Sequence, residues 1–211
     1  MKDPKIAGAE PGLDGTDSAP ATLDAIRDRI VGPLSESECV KLAEIAAGTS
    51  ATRALEVGHY LGLSTSVLLA SLPADVEFVT IDHHQGDQWC PVTKFDEFTE
   101  NVAPYVGDRS FTAFNQDMRT VLPMLSGQFG FVFYDADHAA AAVADFWDLA
   151  ARLMAPECTL VFDDADWAEQ STLRTFAEDD GFVVVTDRPF VRTAGDKHDP
   201  ATYTLELMRR A

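Results

Sequence analysis

Basic residues are scarce in this chain: 16 lysines and arginines stand against 35 aspartates and glutamates, a formal net charge of -19 at pH 7. So acidic a surface repels nucleic-acid backbones and anionic lipid, which excludes nucleic acid and membrane as partners. It also favours solubility whatever the function, so the charge rules partners out better than it names one. Cysteine is nearly absent as well. Cys39, Cys90 and Cys158 lie far apart and form no C-x-x-C pair, which argues against a disulfide framework or a thiolate zinc site and fits a reducing, cytoplasmic setting. No apolar run approaches the ~20 residues needed to cross a bilayer. The opening stretch, Met1–Pro20, is polar and rich in Gly, Pro and Asp, so it lacks the apolar centre of a signal peptide and reads as a flexible lead-in to one domain over 21–211.

What is present is an alternation. With 211 residues and 46% hydrophobic content, the chain can bury one substantial core. Ala21–Val31 and Ser35–Ala47 have helical patterns, the second opening with Ser35 and Glu38 at capping-box spacing. Apolar runs then predict strands at Arg53–Val57, Glu77–Asp82, Ser110–Asn115, Phe129–Asp135, Cys158–Asp163, Gly181–Thr186 and Thr202–Met208. Helical patterns separate the first six, at Leu61–Leu72, Lys94–Tyr105, Met118–Leu125, Ala139–Met154 and Ala168–Asp179. The stretch Asp187–Pro200, broken by Pro189, Gly195 and Pro200, is too short for a crossover helix. The expectation is a Rossmann-like α/β fold: a seven-stranded, mostly parallel sheet with helices on both faces and a C-terminal antiparallel hairpin strand.

The most informative segment is Ala54–Ser66, which reads as a buried strand, a glycine-rich turn and a helix start. Glu56 closes the apolar run, Gly58 and Gly62 leave backbone open to a ligand, and Ser64 and Thr65 can satisfy amides of the next turn. The spacing is E-x-G-x-x-x-G-x-S, not G-x-G-x-x-G, and the bulky Tyr60 stands where the dinucleotide fingerprint has its second glycine. A ligand without a pyrophosphate fits better. Asp82 ends the next strand close to the spacing at which an acid accepts hydrogen bonds from a ribose diol. Further strand ends carry Asp117, Asp135 with Asp137, and Asp163 with Asp164. Carboxylates converging on one rim raise one another's pKa unless donors or cations compensate, so the arrangement needs a functional reason.

These motifs resemble a class I S-adenosylmethionine-dependent methyltransferase, most closely the small-molecule O-methyltransferases of the catechol and caffeoyl-CoA type. The stretch LEVGHYLGLSTS resembles the family's glycine loop, TIDHH its ribose-binding strand end, and QDMRTVLPML its D-x-x-x-x-L-P-x-L. FGFVFYDADH and LMAPECTLVFDDADW resemble the fourth strand, long helix and fifth strand of its catalytic face. The resemblance implies an S-adenosylmethionine site from Glu56, Gly58, Tyr60, Gly62, Ser64, Asp82, His83, Asp117 and Asp135. It implies a magnesium held by Asp135, Asp163 and Asp164, a small-molecule hydroxyl as acceptor, and a homodimer. Without a metal, Asp163 and Asp164 would cap a helix or shape the substrate pocket. Where relatives often carry a lysine as base this chain has His138, three residues after Asp135; the alternative for it is a solvated helix-start residue. A second departure, Pro156-Glu157-Cys158 for the usual P-G-G, lies far from the expected cofactor.

The cluster His83-His84-Gln85-Gly86-Asp87-Gln88-Trp89-Cys90-Pro91 follows the ribose acid directly. Adjacent histidines on extended backbone point apart, so one can serve as base or substrate contact while the other packs or is solvated. Trp89 and Trp167 could wall a flat acceptor or simply pack, and Cys90 could be reactive or, as unpaired cysteines more often are, a small apolar filler. A nicotinamide dehydrogenase would use the same sheet but wants the tighter glycine fingerprint. A fold of this kind can also bind its cofactor without transferring a methyl group.

Overall fold

The computed structural model describes residues 22–86, 91–163, 171–189 and 203–209. Two short helices, α1 (Leu23–Arg29) and α2 (Glu36–Ala47), precede β1 (Arg53–Val57), α3 (Leu63–Ser71), β2 (Glu77–Asp82), α4 (Phe95–Val106) and β3 (Phe111–Asn115). The second half runs α5 (Met118–Val121), β4 (Phe129–Tyr134), α6 (Ala140–Ala150), β5 (Met154–Phe162), α7 (Ser171–Asp179), β6 (Phe182–Pro189) and β7 (Tyr203–Arg209). The capping box at α2 is complete: the Glu38 amide donates to Ser35 Oγ and the Ser35 amide to Glu38 Oε2. Met1 to Ala21, including the expected lead-in, lies outside the described residues, as do Asp164, Trp167, Trp89 and Cys90.

Strand order is β3-β2-β1-β4-β5-β7-β6. The first five run parallel, while β7 pairs antiparallel with both β5 and β6. The parallel α/β sheet expected from the alternation is therefore present. Period-two alternation sends residues to opposite faces. Leu55, Val132, Tyr134, Leu160 and Phe162 pack under α5, α6 and α7, whereas Ala54, Phe78, Phe131, Phe133 and Val161 pack under α1 to α4. Cys39 and Cys158 are buried, and burial pushes the Cys39 thiol up to about 12, which leaves it inert filler. Among the described residues no helix is long and apolar enough to cross a membrane.

Several boundaries differ from expectation, among them the end of α6 and the start of β5. The sixth helix stops at Ala150 and tightens into a 3-10 turn over Ala151–Leu153, rather than reaching Met154. β5 starts at Met154, not Cys158, because Met154 pairs with Phe129 before the register shifts to Phe131 opposite Thr159. Pro156 has no N–H for the ladder, so the strand bulges there instead of ending.

The chain leaves β1 toward β2 and β3 on one side, then returns to β4 on the other, so strand order reverses between β1 and β4. That reversal opens a crevice at the carboxyl ends of those two strands. The ends are close: a Cβ on Gly58 (φ 93°) would collide with the backbone carbonyl of Asp135.

Candidate active site

The crevice is built on a turn that the acid of the neighbouring strand holds shut. Asp82 Oδ2 accepts from the backbone N–H of His59 (3.0 Å) and of Tyr60 (2.8 Å), and Oδ1 accepts from the N–H of His84 (2.7 Å). Burial alone would raise the Asp82 carboxyl, but neighbouring His59 and the His84 and Tyr60 amides bring it below the usual range. Tyr60 (φ 44°) and His84 (φ 55°) both adopt the left-handed conformation that side chains disfavour. The amide bonds to Asp82 are what retain it. Replacing Asp82 by Asn places an NH₂ group against at least one backbone donor. It should lower stability by about 1.5–3 kcal/mol, the worth of a hydrogen bond to a charged group. Denaturant titration of the variant checks this.

Glu56 has a different place from the one expected. It is wholly buried, its Oε1 accepts from Ser64 Oγ (2.6 Å), and its Oε2 accepts from Thr65 Oγ1 and Thr80 Oγ1 (2.7 Å each). It fixes the first turn of α3 from below and presents no surface to a ligand. Ser64 and Thr65 accordingly spend their hydroxyls on Glu56 rather than on amides, and the N-cap of α3, Gly62, makes no side-chain cap bond. Burial pushes the Glu56 carboxyl up to about 7, against the three hydroxyls that lower it. Gly58 and Gly62 also have packing reasons. A side chain at Gly62 would meet Val102 and Phe98 of α4, as one at Gly58 would meet Asp135.

Sequence reasoning missed His59 and Thr80. His59 is buried, stacks on Phe98 with ring centres 3.9 Å apart, and sits between Thr80 Oγ1 (2.7 Å from Nδ1) and His84 Nε2 (2.9 Å from Nε2). The signals were a histidine inside the glycine turn and a threonine within an apolar strand, on the face Glu56 occupies. Of the paired histidines, His84 is buried and His83 is exposed, its Nδ1 accepting from the Gln85 amide.

Burial drops His59 to about 3 and lifts Glu56 to about 7, from ordinary values of 6.5 and 4.5. The linkage signs are opposite. Neutral His59 stabilises the fold above pH 6.5, and that stabilisation is lost as pH falls toward 3; protonated Glu56 stabilises it below pH 4.5, and that is lost as pH rises toward 7. The two contributions cancel between 4.5 and 6.5, and His59 alone acts below. Stability of the wild type relative to His59→Phe should thus decline below pH 6.5 by roughly 1.4 kcal/mol per pH unit. Denaturant titrations across pH 3 to 8 test the slope.

On the β4 side, Asp135 and Asp163 follow neighbouring strands and point, by alternation, to the α1–α4 face. The Asp135 amide donates to the Val57 carbonyl (2.9 Å) and the Asp163 amide to that of Tyr134 (3.1 Å), which staggers the three strand ends around the crevice. His138 Nε2 lies 3.9 Å from Asp135 Oδ1, and both side chains are largely buried, so His138 is not a solvated helix-start residue. Asp163 is 6% exposed. Asp117 stands beyond β3, where it caps α5 by accepting from the Arg119 amide (2.7 Å) and pairs with the Arg119 guanidinium. Among the described residues no group of three or more His, Cys, Asp or Glu side chains could hold a metal ion. Asp135 and Asp163 do not complete a magnesium site by themselves, and the third expected ligand, Asp164, lies outside the described residues.

Solved structures share this fold. A protein from Klebsiella pneumoniae, assigned provisionally as an O-methyltransferase, superposes with a TM-score of 0.67 at 21% identity, covering 89% of each chain. The O-methyltransferase TomG from Streptomyces achromogenes, involved in tomaymycin synthesis and solved with S-adenosylmethionine, gives 0.64 at 21% identity over 84% of this chain and 82% of its own. An O-methyltransferase from Bacillus cereus in complex with S-adenosylhomocysteine gives 0.63 at 16% identity over 89% and 90%. No curated protein matches the chain. The model of a methyltransferase domain matches residues 55–165, more than half of the sequence, and spans the glycine turn, Asp82, the β4 end and Asp163. The chain belongs to the methyltransferase-domain family.

Proposed function

We propose that this protein transfers a methyl group from S-adenosylmethionine to a hydroxyl of a small molecule, a phenol, catechol or comparable metabolite. One observation carries the reading: the carboxylate-held turn after β1 opens beside the β4 end, where Asp135 and His138 lie together. Donor and base chemistry thus meet in one crevice. Backbone of the Gly58–Gly62 turn, with Asp82 and Asp117, would hold the donor, which when bound supplies a methyl already activated by its sulfonium. The residues then have to align the acceptor, exclude water and take one proton.

His138 would take the proton from the acceptor hydroxyl, and Asp135 would hold the imidazole and stabilise the cation that forms. Glu56 acts from beneath, keeping α3 and the turn in register. If magnesium takes part, Asp135, Asp163 and Asp164 are the hard oxygen donors that would hold it, and its chemistry would be to orient an acceptor oxygen. A binding module would take up S-adenosylhomocysteine without turnover. Incubation with S-adenosylmethionine and a panel of phenols, catechols and sugars, with S-adenosylhomocysteine quantified as product, tests the proposal. Neither product nor calorimetric heat for either nucleoside would overturn it. The same assay with a chelator separates metal-dependent from metal-independent transfer.

A further inference from the structure

Beneath the turn runs an unbroken line of polar contacts through an otherwise apolar layer. It passes from Glu56 Oε2 to Thr80 Oγ1 (2.7 Å), to His59 Nδ1 (2.7 Å), from His59 Nε2 to His84 Nε2 (2.9 Å), and from His84 Nδ1 to Thr93 Oγ1 (2.7 Å). The rings are enclosed by Phe95 and Phe98 of α4. We infer that these five residues form one directional hydrogen-bond chain, in which His59 and Thr93 are positioning residues for the donor-binding turn.

Proton counting fixes the direction. At pH 8, above the Glu56 value of about 7, Thr80 gives its one hydroxyl proton to the Glu56 carboxylate, so it can only accept from His59, whose Nδ1 must carry hydrogen. A neutral His59 then has a bare Nε2. The 2.9 Å contact between the two Nε2 atoms needs one donor, so the hydrogen is on His84 Nε2. His84 Nδ1 is bare in turn and accepts the hydroxyl proton of Thr93. Every donor points toward Glu56, and no group is left unpaired. A cationic imidazole would put two N–H groups face to face or reverse a hydroxyl, and burial opposes the charge on both rings. The titratable groups facing the chain are Asp82, which accepts the amides of both histidines, and His83 beside His84.

The consequence lies in the backbone. His84 is left-handed, and its N–H is one of three donors on Asp82. Its ring is held at both nitrogens, by His59 and by Thr93, and so its amide is held on the carboxylate. His59 joins the same cycle twice, by its ring to His84 and by its N–H to Asp82. Thr93, directly before the Lys94 N-cap of α4, anchors the far end. Losing either end of the imidazole pair frees His84 to leave its strained conformation and loosens Asp82. This role rests on the proposal that the Asp82 turn binds the methyl donor.

The test has two arms. In wild-type protein with ¹⁵N-labelled histidine at pH 8, nitrogen shifts should show His59 as the Nδ1–H tautomer and His84 as Nε2–H, and His59 should stay neutral at pH 5.5. Either ring in the opposite tautomer at pH 8, or His59 protonated at pH 5.5, overturns the chain whether or not any donor binds. In the second arm, Thr93→Val, which keeps the shape and removes the hydroxyl, should weaken S-adenosylhomocysteine binding about tenfold, and Thr93→Ser should restore most of it. Wild-type affinity in Thr93→Val, or equal losses in both variants accompanied by a lower Tm, would overturn the positioning role. Should wild-type protein bind no S-adenosylhomocysteine, the donor reading and the positioning role fall together, and the tautomers still decide the chain.

Discussion

Gly58→Ala should cost on the order of 4 kcal/mol or more, a large share of the roughly 5–15 kcal/mol that holds a domain of ordinary stability together. Two penalties coincide. At φ 93° an L side chain is strained, and the added Cβ would lie far inside contact distance of the Asp135 carbonyl, with the Ala136 amide nitrogen 2.9 Å away. Neither neighbour can yield, because the Asp135 amide is bonded to the Val57 carbonyl and the Gly58 amide to that of Ile81. Gly107→Ala is the internal control. It too has positive φ, 55°, with ψ at −138°, but nothing lies within 4 Å of an added Cβ, so it should cost only the conformational strain of about 1–3 kcal/mol. Denaturant midpoints for both variants decide the matter: equal losses would mean that the approach of β1 to β4 does not constrain this position.

That contrast also shows what was legible in the sequence and what was not. β1 and β2 occupy the spans their apolar runs predict, and the capping box of α2 follows from Ser35 and Glu38 alone, because these are local patterns. The acids at the strand tips were visible for the same reason, as was the closeness of Asp135 and His138, three residues apart. The roles of Glu56, Ser64 and Gly58 were not, since each depends on a partner from another element: Thr80 of β2 for Glu56, and the end of β4 for Gly58. A carboxylate at a strand tip looks alike in sequence whether it faces a ligand or a set of buried hydroxyls. The His59–His84 pair joins residues 25 apart through a contact that no periodicity encodes. The β5 start was hidden by Pro156, whose usual meaning is a break and whose effect here is a bulge.

His138→Ala carries the largest expected effect on turnover. Under the proposed mechanism the variant should lose about 10²- to 10⁴-fold in kcat, the usual contribution of a positioned general base. Affinity for S-adenosylhomocysteine should change less than twofold, because the donor would rest on the Gly58–Gly62 turn and Asp82, on the β1 and β2 side of the crevice. Activity of the variant should recover as pH approaches that at which the acceptor hydroxyl ionises in solution. Asp135→Asn should fall in the same direction through its neighbour, since an amide 3.9 Å from Nε2 cannot stabilise the imidazolium as a carboxylate does. If His138→Ala turns over at the wild-type rate, the proton leaves by another route. His84 is then a poor substitute, with both ring nitrogens already bonded inside the fold, whereas His83 is exposed and stands at the same strand end. His83→Ala would be the decisive second variant, and a loss there with His138→Ala unaffected would move the base from the β4 side of the crevice to the β2 side.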